Sequence, residues 1–90
     1  MVRDHILQTL SAEFGRPLGS TTLEWWIVVG PQRPPVHVCL NERGRENTAH
    51  ILVFDPAAVE GRSVIEDRPT SIAEADAVLS RIRRIVHGRD

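Results

Sequence analysis

Three apolar, β-branched runs, at residues 23–30, 36–41 and 49–54, are separated by two gaps rich in turn-forming residues. Runs this short, bounded by Gly, Pro and Asn, predict strands rather than helices. Gaps of a few residues join antiparallel neighbours, because a parallel return needs a crossover of a dozen residues or more. The expectation is a three-stranded antiparallel meander.

Successive strand residues point to opposite faces, so alternation sorts the side chains. Pairing Ile27 with Val38 aligns Leu23, Trp25, Ile27 and Val29 with Val36, Val38 and Leu40. Pairing Cys39 with His50 adds Ala49, Ile51 and Val53 to that set. A wholly apolar face of this kind predicts the core side, and a slip of one residue would exchange the two faces. The other face then carries Glu24, Trp26, Val28, His37, Cys39, Asn41, Thr48, His50, Leu52 and Phe54. A solvated face alternates to polar residues, and this one does so only in part.

Both gaps are too poor in suitably placed glycine to make a phosphate-binding loop. Gly30-Pro31-Gln32-Arg33-Pro34-Pro35 is stiff, since each proline fixes its own φ and restricts its predecessor. Glu42-Arg43-Gly44-Arg45-Glu46-Asn47 reads as a charged hairpin tip.

A helix is expected on each side of the meander. At residues 3–14, Ile6, Leu7, Leu10 and Phe14 follow the spacing of one helical face, with Asp4 as the N-cap candidate. Gly15 and Pro17 stop it. At residues 71–87, Ser71-Ile72-Ala73-Glu74 fits a capping box. Ile72, Ala75, Val78, Leu79, Ile82, Ile85 and Val86 then cover one apolar arc of about 140°. Glu74 and Asp76 near its start, with Arg81, Arg83, Arg84 and His87 near its end, suit the helix dipole without any ligand. His5 and His87, near helix ends, need no further role. Gly88 ends the helix. Between strand three and this helix, Asp55 and Pro56 suggest one helical turn stopped by Gly61, and residues 62–66 an extended segment able to add a short edge strand.

The order α-β-β-β-α, with two amphipathic helices, predicts an α+β two-layer sandwich with both helices on one sheet face. Ninety residues make it one small domain, 1–90. A chain of this size buries about 60–65% of its unfolded surface, enough for a core without metals or disulfides.

That order resembles the double-stranded RNA-binding domain, and Gly30-Pro31 is similar to a Gly-Pro turn of that family. The resemblance implies RNA binding as an alternative function. That family grips phosphates with a lysine-rich start to its last helix. The matching stretch here, residues 66–74, holds Glu66, Asp67 and Glu74 and no lysine. Acidic groups facing a phosphodiester repel it.

Composition removes other classes. The net charge is −1, and all eleven basic residues are arginine, so lysine Schiff bases and a P-loop are excluded. Near-neutral charge does not suit non-specific nucleic-acid binding, which is mostly electrostatic. No run approaches the ~20 apolar residues of a membrane span, and the N-terminus lacks the apolar stretch of a signal peptide. One cysteine forms no internal disulfide and fits a reducing compartment, so a cytoplasmic protein is expected.

Cys39, His50 and His37 share the mixed face, a set with the chemistry to hold zinc or to make an activated thiol. No metal-binding spacing such as CxxC or HExxH accompanies them, and no acid is in view beyond Glu24 to orient the histidine. A half-buried sheet surface is the expectation, with no cofactor and no metal. On the same face Trp26, Val28, Leu52 and Phe54 make an apolar patch, and such patches mark interfaces. Protein association, with a second copy in a homodimer or with a different protein chain, is therefore expected through Trp26, Val28, His37, Cys39, His50, Leu52 and Phe54, or through the first strand as an edge.

Overall fold

A computed structural model describes residues 2–18, 23–28, 35–41 and 49–87, with Trp26 the one side chain described within 23–28. Six elements follow in order: helix α1 (Val2–Phe14), strands β1 (Leu23–Val28), β2 (Val36–Asn41), β3 (His50–Phe54) and β4 (Ile65–Asp67), and helix α2 (Ile72–His87). The strands form one antiparallel sheet in the order β1-β2-β3-β4. The α+β sandwich is thus as the sequence implies, and the segment after the third strand extends the meander by three residues.

Strand registers differ from the expectation in two ways. Cys39 stands opposite Leu52, and His50 opposite Asn41, a shift of two that leaves every side chain of β2 and β3 on its expected face. Between β1 and β2, Trp26 rather than Ile27 stands opposite Val38. That shift of one exchanges the faces of β1. Trp26 enters the core, 1% exposed, and positions 23, 25 and 27 stand opposite Asn41, Cys39 and His37.

The reason lies at the end of α1. Gly15 takes φ +84° and closes the helix with its N–H on Ser11 at 3.0 Å, a left-handed stop that costs glycine little. The Trp26 indole Nε1 donates to the Gly15 carbonyl oxygen at 3.0 Å. A buried indole needs such an acceptor. The helix end supplies it on the inner side of the sheet.

One apolar cluster fills the space between sheet and helices. α1 contributes Val2, Ile6 and Leu10, and α2 contributes Ala75, Val78, Leu79 and Ile82. The sheet contributes Trp26, Val36, Val38, Leu40, Ala49, Ile51, Val53 and Ile65. α1 begins at Val2, so Asp4 lies in its first turn rather than capping it. Ile72, expected in the buried arc of α2, is 45% exposed, whereas Ile85 and Val86 pack against the cluster edge.

Side-chain pairs tie the helices together. His5 Nε2 lies 2.7 Å from Asp76 Oδ1, and Arg83 Nε donates to Glu13 Oε1 at 2.6 Å. Early residues meet early ones and late meet late, so α1 and α2 run in the same direction. His5 therefore has a partner that its position near a helix end does not suggest.

α2 starts on half of a capping box. The Glu74 N–H donates to Ser71 Oγ at 3.1 Å, while the Glu74 carboxylate accepts from the Thr70 hydroxyl at 3.2 Å. Before it, Asp55 is fully buried, and its carbonyl accepts from the N–H groups of Ala58 and Val59, both at 3.0 Å. This is one hydrogen-bonded turn, not a helix, and Gly61 at φ +82° redirects the chain towards β4. The Gly30-Pro31 turn, the 42–47 tip, Thr48, Val29 and Gly88 lie outside the described residues.

Candidate functional site

Both helices pack on one side of the sheet, and among the described residues no helix crosses the other. On that second face β2 presents His37, Cys39 and Asn41, β3 presents His50, Leu52 and Phe54, and β4 presents Glu66. His37, His50, Leu52 and Phe54 are half-buried, and Cys39 is only 3% exposed. Five of the seven expected interaction residues, His37, Cys39, His50, Leu52 and Phe54, therefore come together.

Trp26 does not join them, being core. Val28 stands opposite Val36, a buried residue of the core face, so its position also falls out of line with Cys39. The β1 positions in line with the helix-free face are 23, 25 and 27. Trp25, expected in the core, stands opposite Cys39.

Cys39 occupies the middle of the face, with Trp25 across one ladder and Leu52 across the other. Burial pushes its thiol pKa up, because the thiolate loses more hydration than the neutral thiol. A nucleophilic or metal-binding cysteine needs the opposite shift. His50 is two positions removed along β3, and its Nε2 lies 3.0 Å from Glu66 Oε2. Glu66 is thus an acid that orients His50, one hidden from sequence reading because β4 had to pair with β3 first. The expected direct pairing of His50 with Cys39 does not form, because the register sets His50 opposite Asn41. Among the described residues no group of three His, Cys, Asp or Glu side chains is placed to hold a metal ion.

The two sheet edges differ. β4 is three residues long and carries Glu66 and Asp67, with Asp67 3.5 Å from Arg81 of α2. β1 is six residues long, carries the single charge Glu24, and has neither proline nor lysine. Among the described residues no strand pairs with its outer side. Short, charged strands protect an edge, and long apolar ones do not.

Around the start of α2 stand Asp67, Glu74 and Asp76, with Arg81 and His5 as partners for two of them. Among the described residues no helix is long and apolar enough to cross a membrane. No family model, curated protein or solved structure matches this chain.

Proposed function

We propose that this chain is a non-catalytic protein-interaction module that associates with a second copy of itself through the β1 side of its sheet. The observation that carries this reading is the unequal pair of edges. The β4 edge is blunted by length and charge, whereas β1 is six residues long, pairs with β2 on one side and has no described strand on the other. A second support is the helix-free face next to it, where Leu52 and Phe54 lie half-buried around Cys39. Acidic groups around the start of α2 weigh against a phosphate-binding role, and the raised thiol pKa weighs against thiol chemistry. A single cysteine buried in this way suits the reducing cytoplasm.

Solution mass by light scattering, from low to high micromolar protein, tests the reading. The parent is expected to approach twice the monomer mass, and Trp25→Lys, which places an edge-protecting charge mid-strand, to stay monomeric with an unchanged far-ultraviolet circular dichroism spectrum. A parent that stays monomeric throughout refutes self-association.

A further inference from the structure

We draw no further inference here: the strongest candidate, the sheet face that no described helix crosses, which holds Cys39 and the His50–Glu66 pair and is bordered by the outer side of β1, carries nothing, because nothing in the structure shows what covers it.

Discussion

The indole Nε1 of Trp26 donates a 3.0 Å hydrogen bond to the carbonyl oxygen of Gly15, joining the first strand to the end of the first helix. Trp26 is 1% exposed, so the bond is made where water is not at hand to replace it. Trp26→Phe keeps most of the ring volume but leaves that carbonyl without its indole donor. The expected loss is about 1–3 kcal/mol. Trp26→Ala should cost about 3–5 kcal/mol, and Trp26→Glu should unfold the domain by burying a carboxylate. Urea midpoints followed by circular dichroism give the ranking, and a Trp26→Glu variant as stable as the parent would place the ring on the surface.

Ile82 and Arg83 are adjacent on α2 and should behave quite differently. Ile82 is fully buried at the centre of the core, so Ile82→Ala is expected to cost about 2–5 kcal/mol. Arg83 is partly exposed, and its bond to Glu13 pushes the guanidinium pKa up. A solvent-accessible pair of this kind contributes about 1 kcal/mol or less and weakens with salt. Denaturation in low and high salt should therefore shift the Arg83→Ala difference and leave the Ile82→Ala difference alone.

The cap of α2 separates two roles within one motif. Ser71→Ala removes the acceptor for the Glu74 N–H and should cost about 1 kcal/mol. Glu74→Gln should cost less, because its carboxylate contacts the exposed Thr70 hydroxyl. Equal losses in thermal melts would mean the reciprocal half of the box also forms.

Cys39 should make the fold sensitive to alkali. Its folded pKa is raised by burial above the ordinary thiol value of about 8.5. Between those two values the unfolded chain has lost a proton that the folded chain keeps, so stability falls as pH rises. Below the unfolded value the contribution is fully present. Urea midpoints from pH 7.5 to 10 should fall more steeply for the parent than for Cys39→Ala. At neutral pH an aromatic disulfide reagent should label native Cys39 many-fold more slowly than urea-unfolded chain.

The double variant Cys39→Ser/His50→Ala addresses metal directly. Both parent and variant are expected to purify without zinc, measured by plasma emission spectroscopy. Stoichiometric zinc present in the parent and lost in the variant would reassign the helix-free face as a metal centre.

How far the residues reveal this fold differs from element to element. β2 and β3 each carry an unbroken apolar set on one side, so their faces survive a register shift of two. β1 does not: Leu23, Trp25 and Ile27 compete with Trp26 and Val28, and both sets are apolar. Hydrophobicity alone leaves such a strand undecided. The deciding group is one N–H that finds its acceptor on a helix end 11 residues earlier, a tertiary match that periodicity does not carry. The same applies to Glu66, legible as an acidic residue but not as the partner of His50, 16 residues away. α2 was readable almost throughout because its period, cap and charges agree. It departs at Ile72, which lies in the apolar arc yet at the open end of the helix, and at the cap, where the Glu74 carboxylate meets the Thr70 hydroxyl.

The parallel helices have a consequence for synthesis. α1 is made before the sheet and α2 after it, yet His5 must meet Asp76 and Glu13 must meet Arg83. Contacts between distant parts of a chain are slow to form and cannot precede the later part. Until residue 87 leaves the ribosome, the inner side of the sheet has only one of its two covering helices. The nascent meander is then an apolar surface in need of a chaperone or of haste, and a ribosome stalled anywhere in α2 would release a chain more prone to aggregate than one stalled within α1.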